Sequence, residues 1–163
     1  MQRPTGMNFD ILNARESAVR LEGTGLKGSD LMGCWQLQTV WSKGSQTANP
    51  FNSWMLRSLD ARLEIEEGSG EDGHDLHLCN AVNLGPIELK FQGPGSLKGK
   101  RPLLVFHFDS VMLRIAGVVM LNKKLAVPPA NRAPFFALIE RNPDGWLAAR
   151  GRGGGLALWT LKD

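Results

Sequence analysis

The sequence predicts a mainly β protein in which one N-terminal α-helix precedes an antiparallel β-barrel of about eight to ten strands. From residue 33 onward, short segments alternate apolar and polar residues with the period of a half-buried strand. Glycine, proline, asparagine and aspartate separate these segments over a few residues, which favours hairpins over the helical crossovers of a parallel sheet. With so many strands, closure into a barrel would remove the exposed edges that an open sheet has.

The helix is predicted at 8–22. Phe9, Leu12 and Val19 recur there near helical spacing, and an asparagine or an aspartate near the start could cap it. Residues 23–28 have the G-x-G-x-x-G spacing of a dinucleotide-binding loop, but that loop follows a strand, whereas here a helix precedes it. We therefore interpret them as a linker. The predicted organisation is a helix with its linker, followed by one barrel domain: 1–30 and 31–163.

About nine or ten strands account for the rest of the chain. The alternation is clearest where Leu63 and Ile65 lie between charged residues. Residues 93–100, rich in glycine with one proline, are interpreted as a hairpin tip and not as a phosphate-binding loop. The predicted strands are 33–42, 59–67, 76–84, 87–91, 103–108, 111–115, 118–121, 135–140, 145–150 and 156–161.

Length and charge exclude several classes of protein. The 163 residues suit one folded domain, and no apolar run reaches the ~18 residues of a membrane-spanning helix. The net charge of +3 allows attraction to anionic lipid but is too small to predict nucleic-acid binding. Two cysteines, Cys34 and Cys79, favour a reducing compartment, and the first thirty residues contain no export or import signal. The expected location is intracellular, either cytoplasmic or peripheral to a membrane.

Candidate catalytic residues are few. His77 and Cys79 share a predicted strand face, as do His107 and Asp109, so the first pair resembles metal ligands and the second an acid–base pair. His74 would point away from His77. We favour hydrogen-bonded or surface roles for these side chains, and predict no catalytic residue, metal or cofactor.

Three segments resemble a known family. Gly33-Cys34-Trp35 resembles the G-x-W opening of lipocalin-type barrels. More narrowly, 31–37, 79–82 and the arginine-glycine segment 145–159 resemble the plastid lipid-associated protein (fibrillin) domain of plastids and cyanobacteria. The resemblance covers 30–161, although the chain lacks the tyrosines that are usual in that family. It implies a lipocalin-like antiparallel β-barrel with an N-terminal α-helix, which we expect to lie against one end of the barrel.

The resemblance also implies a function and a set of residues. It implies a non-enzymatic protein that binds an isoprenoid, carotenoid, quinone or other lipid, peripherally associated with the thylakoid membrane. Trp35 and Arg150 would then close the barrel, with the guanidinium over the indole ring. The expected cavity lining is Leu63, Ile65, Leu89, Phe106, Phe108 and Phe136. These apolar side chains would equally suit a dry core.

Two basic segments are expected at a membrane or partner surface, because cations beside exposed apolar residues suit an anionic membrane. Their residues are Leu97, Lys98, Lys100 and Arg101 in the first, and Lys123, Lys124, Leu125 and Val127 in the second. The arginine-glycine block 150–155 could instead contact single-stranded RNA, but the flanking strands favour a hairpin turn.

The sequence leaves two other functions open. One is an interaction protein with a dry barrel that assists an enzyme of quinone or pigment synthesis. The other is a bilin chaperone or lyase, since some lipocalin-like cyanobacterial proteins attach bilins. An extractable lipid or pigment would favour the binding protein over both.

Overall fold

The computed structural model of the chain describes residues 6–48 and 60–162. Within these ranges the chain forms two α-helices and ten β-strands, and all paired strands are antiparallel. The helices are α1 (Phe9–Glu22) and α2 (Gly28–Leu31). The strands are β1 (Gly33–Trp41), β2 (Arg62–Glu67), β3 (Leu76–Leu84), β4 (Ile87–Lys98), β5 (Leu103–Phe106), β6 (Ser110–Ile115), β7 (Val118–Lys124), β8 (Phe135–Asn142), β9 (Trp146–Gly151) and β10 (Leu156–Lys162).

Eight of these strands close a barrel. Their order is β3-β2-β1-β10-β9-β8-β5-β4, and β4 pairs with β3 to complete the circle. The other two, β6 and β7, continue the sheet from the first half of β4 and so form an extension outside the barrel. The predicted fold class, a mainly β, lipocalin-like antiparallel barrel with an N-terminal helix, is confirmed.

Strand β4 is longer than the sequence predicted. We expected a hairpin tip from Gly93, but the strand continues to Lys98 and the turn lies at 99–102. Around Pro94, β4 exchanges one partner, β6, for another, β5. A Cβ on Gly93 would overlap the carbonyl oxygen of His107, so glycine allows the close approach that this exchange requires.

Helix α1 lies on the outer surface of the barrel. Its Leu12 is fully buried in a cluster with Trp146 and Ala148 of β9. Leu147 and Ala149, the alternate residues of the same strand, belong to the interior cluster. Strand β9 is therefore apolar on both faces. The expectation that this helix packs against one end of the barrel is wrong, because its apolar contacts and its ion pair with Arg150 of β9 are with the outer face.

Glu16 of α1 is a buried carboxylate, with 2% of its surface exposed. Arg150 Nη2 lies 2.6 Å from its Oε2, Arg101 Nη2 lies 2.8 Å from its Oε1, and Arg20 lies 3.3 Å away. Burial alone would raise the pKa of Glu16, but the hydrogen bonds and charges of Arg150 and Arg20 bring it below its ordinary value. Glu16 thus joins α1 to β9 and to the turn between β4 and β5.

We expect Glu16→Gln to lower the free energy of unfolding by about 3 kcal/mol at pH 7, because the arginines lose a buried carboxylate. Since the pKa of Glu16 is lowered by folding, this stabilisation is complete above the ordinary value of 4.5 and is lost as the pH falls through the folded-state pKa. Urea unfolding at pH 7 and at lower pH measures it. The exposed Glu22→Gln is the matched control, and equal stability of the two variants at pH 7 would contradict the assignment.

Candidate functional site

An apolar pocket of about 250 Å³ lies inside the barrel. Four of the predicted lining residues, Leu63, Phe106, Phe108 and Phe136, form part of its wall. The rest of the lining is Leu37, Val40, Ala61, Arg62, Asn80, Ala157 and Trp159.

Two predicted lining residues lie elsewhere. Ile65 is buried in the packed interior, beyond the pocket. Leu89 pairs with Val82 on one side and Leu113 on the other, in the half of β4 that leaves the barrel. The sequence could not separate these positions from the true lining, because strand alternation identifies a face but not a depth.

Aromatic rings form one wall of the pocket. The centroids of Phe106 and Phe136 are 5.3 Å apart, and those of Phe136 and Trp159 are also 5.3 Å apart. Phe108 lies 5.4 Å from Phe106 and 5.9 Å from Phe91, which extends the row beyond the pocket. The row presents a continuous series of ring surfaces and edges to any occupant.

Trp159 and Ala157 were not predicted as lining residues, although simple alternation along β10 places both on the inner face. Val40 was harder to predict. The register of β1 shifts between Leu37 and Thr39, and this irregularity brings Val40 to the lining together with Leu37. A β-bulge of this kind has no reliable sequence signature.

Arg62 is the one charged residue among the described residues that line the pocket. Its guanidinium lies 2.7 Å from Glu64 and 2.8 Å from Glu88, and 3.5 Å from Asp60. Burial would lower the pKa of Arg62, but the hydrogen bonds to Glu64 and Glu88 raise it overall. The cation is therefore already neutralised by carboxylates, and the pocket suits an uncharged apolar group better than an anion.

The opposite end of the barrel is closed around Trp35. Its Nε1 donates a 2.7 Å hydrogen bond to the carbonyl oxygen of Leu31, which is fully buried. The guanidinium carbon of Arg141 lies 5.7 Å from the centroid of the Trp35 ring, and Arg141 Nε donates to the carbonyl oxygen of Asp30. The end is thus closed by α2 and by a cation over the indole ring.

The predicted pairing of Trp35 with Arg150 is wrong. Trp35 pairs with Leu161 at one end of β10, whereas Arg150 pairs with Leu156 at the other. Arg150 points outward to Glu16 instead. A register shift in β8 after Leu138 changes the alternation that would otherwise turn Arg141 outward. The sequence identified the interaction but not the arginine that makes it.

The predicted surface residues divide into two groups. Leu97 is half-buried against the interior cluster and Arg101 binds Glu16, so the expectation of free surface contact is wrong for both. Lys98 and Lys100 are exposed near the turn that follows β4. The second group lies at and after the end of β7, with Lys123, Lys124 and Val127 exposed and Leu125 half-buried. No helix of the described residues is long and apolar enough to cross a membrane.

All three histidines and both cysteines lie within the part of the chain that the structure describes. The described residues contain no group of three or more His, Cys, Asp and Glu side chains that could hold a metal ion. His107 stands edge-on to His74, with their ring centroids 5.9 Å apart. Glu64 lies in register between Cys34 and Cys79, so the cysteines are two strand spacings, about 9.6 Å, apart and too distant for a disulfide.

We expect Cys79 to resist alkylation. Burial, followed by the charge of Glu64, raises the pKa of its thiol to about 11. Because the thiolate is the nucleophile, iodoacetamide at pH 8 should modify Cys79 at least tenfold more slowly in the folded protein than in urea. Peptide mass spectrometry measures both rates, with the half-exposed Cys34 as internal comparison. Equal rates in the folded and unfolded protein would contradict the burial of this thiol.

No protein-family model matches the chain, and neither the curated proteins nor the solved structures include a significant match to it. The resemblance to the fibrillin domain therefore stays a prediction. The barrel itself is compatible with a ligand-binding protein.

Proposed function

We propose that this chain is a non-enzymatic binding protein for an uncharged lipophilic molecule, such as an isoprenoid, carotenoid, quinone or lipid, and that it associates peripherally with the thylakoid membrane. The observation that carries the proposal is the apolar pocket beside the aromatic row of Phe106, Phe136 and Trp159. The one charged residue among the described residues that line this pocket is already ion-paired with carboxylates. Concave, largely apolar sites with few polar groups are typical of small-molecule binding.

The size of the pocket limits what it holds. Its volume of about 250 Å³ is below the ~300–1,000 Å³ of sites that enclose a drug-sized ligand. We therefore assign it to one ring or chain end of a longer molecule, for example the head of a quinone or the terminal ring of a carotenoid. The remainder of such a ligand would leave past the exposed Asn80.

A second candidate is an interaction protein that assists an enzyme of quinone or pigment synthesis. The observation that favours it is the dense packing of the closed half of the barrel, where Leu31, Trp35 and Ile65 are almost fully buried. In this alternative the pocket is a packing defect, and the surface carries the function.

Ligand titration distinguishes the two candidates. A short-chain benzoquinone and β-ionone, a carotenoid end ring, should each quench the fluorescence of Trp159 saturably, because the ring lines the pocket. The Trp159→Phe variant gives the fluorescence of the other tryptophans, which is subtracted from that of the unsubstituted chain. Ala157→Phe, which fills the pocket, should weaken binding at least tenfold, or about 1.4 kcal/mol.

The matched control is Ala126→Phe, because Ala126 is exposed in a loop. Thermal unfolding checks that both variants fold. Absence of saturable quenching with every probe, or equal affinity of Ala157→Phe and the unsubstituted chain, would favour the interaction protein. Organic extraction of the protein from its native host, followed by mass spectrometry, would identify the occupant.

A further inference from the structure

Two hairpin turns lie side by side at the tip of the sheet extension. Ile87, after the first turn, pairs with Ile115, before the second, and the backbone N–H of Ala116 donates a 2.8 Å hydrogen bond to the carbonyl oxygen of Pro86. We call these two turns, 84–87 and 115–118, the double tip. Its residues are Leu84, Gly85, Pro86, Ile87, Ile115, Ala116, Gly117 and Val118; all are exposed, and none carries a charge.

The apolar surface continues from the double tip along β7. Val118, Val119, Met120 and Leu121 are between 47% and 62% exposed. Because side chains alternate along a strand, these four residues expose apolar groups on both faces of the sheet. A soluble monomer rarely exposes so continuous an apolar surface without a partner.

The hairpin formed by β6 and β7 carries only positive charges. Residues 110–124 contain Arg114, Lys123 and Lys124 and no aspartate or glutamate. Arg114 is paired with Glu88, 3.1 Å away, whereas both lysines are exposed at the end of β7 that is distant from the double tip. An uncharged tip with cations behind it is complementary to a membrane with anionic headgroups, in which acyl chains lie beneath the phosphates.

The inner face of the extension also continues into the pocket. Asn80, which lines the pocket, pairs with Phe91, and Val82 and Leu89 form the next inward-facing pair toward the double tip. Phe91 in turn contacts Phe108 of the lining. The double tip therefore projects from the open end of the barrel, about 13 Å beyond Asn80 over four strand residues.

From these observations we infer that the double tip inserts into the interface of an anionic lipid membrane and directs the open end of the barrel toward it. Insertion is shallow, about 5–10 Å, because the outer edge of β7, which pairs with no other strand of residues 6–48 and 60–162, disfavours passage into the hydrocarbon core. Lys123 follows Val118 by about 17 Å along the strand, so the lysines stay outside the inserted part, about 7–12 Å behind it, where they still attract the phosphates over about one Debye length. This inference rests on the membrane part of the proposed function and specifies its surface.

A second copy of this chain is the main competing occupant. Pairing of two β7 edges would cover this strand but would leave Leu84 and Ile87 of the double tip exposed, and it would not use the continuity with the pocket. Lipid covers the double tip and both faces of the apolar segment 118–121 at once. The lipid surface is therefore the occupant to which the structure points.

Vesicle flotation tests the inference. Without added quinone or carotenoid, the chain should float at low salt with vesicles of equal phosphatidylglycerol and phosphatidylcholine, and less with phosphatidylcholine alone. The double variant Ile87→Glu/Val118→Glu should reduce vesicle affinity at least tenfold. Its matched control is Ile11→Glu/Leu21→Glu, which changes the charge equally on α1, where Ile11 is 38% exposed like Ile87 and Leu21 is 89% exposed. The control should float like the unsubstituted chain.

Further variants separate the contribution of the lysines to binding from the insertion of the tip. Lys123→Gln and Lys124→Gln should each weaken binding to the anionic vesicles about fivefold, with a smaller dependence on salt. A tryptophan reporter at Val118→Trp should be quenched by lipids brominated near the top of the acyl chain, whereas one at Leu21→Trp should not. Near-ultraviolet circular dichroism checks the fold of each variant.

Equal flotation of the tip variant and its control would overturn the inference. So would a dimer in sedimentation velocity that Met120→Glu dissociates, combined with no flotation of the unsubstituted chain, because a second copy would then cover β7. The pocket is tested separately: Ala157→Phe should lose ligand and still float. Normal ligand binding without flotation would leave the pocket proposal intact and remove the membrane surface.

Discussion

The buried carboxylate of Glu16 is the constraint from which much of the architecture follows. An isolated buried carboxylate costs several kcal/mol, so its position requires the arginines that surround it. Because Arg150 comes from β9 and Arg101 from the turn after β4, the interaction holds α1 across the outer surface of the barrel. Strands β9 and β10 then lie between two apolar layers, which explains why Trp146 and Leu158 are buried although they face away from the interior.

The pocket forms because some of the side chains that line it are small. The interior is filled at one end by Trp35 and Leu31, whereas the other end has Ala61 and Ala157 in the lining beside the aromatic row. Small side chains next to rings leave space that a close-packed interior would not contain. The closed end supplies rigidity through Arg141 and α2, so the open end can keep its space without loss of the fold.

Sequence periodicity predicted the positions of the strands well, but it predicted poorly which residues of different strands come together. The limits of β3 coincide with the prediction, because alternation and a glycine-proline turn both mark them. The predicted strand at 59–67 is observed as Arg62–Glu67, and its residue 59 lies outside the described residues. The roles of Arg150 and Arg141 were missed, because they depend on strand register, on a bulge in β8 and on where α1 docks. Each of these is a long-range property that no local pattern encodes.

The extension beyond the barrel has to be held in place without a second layer of structure. Its outer face provides the means: Arg62 on β2 binds Glu88 on β4, which in turn binds Arg114 on β6. Single exposed ion pairs contribute little, but these form a connected network in which Arg62 is mostly buried. Because this ion-pair network runs along the outer face, the inner face near the tip can be apolar while the strands stay in register. The same network neutralises Arg62 at the pocket, so one set of ion pairs both supports the extension and keeps the pocket uncharged.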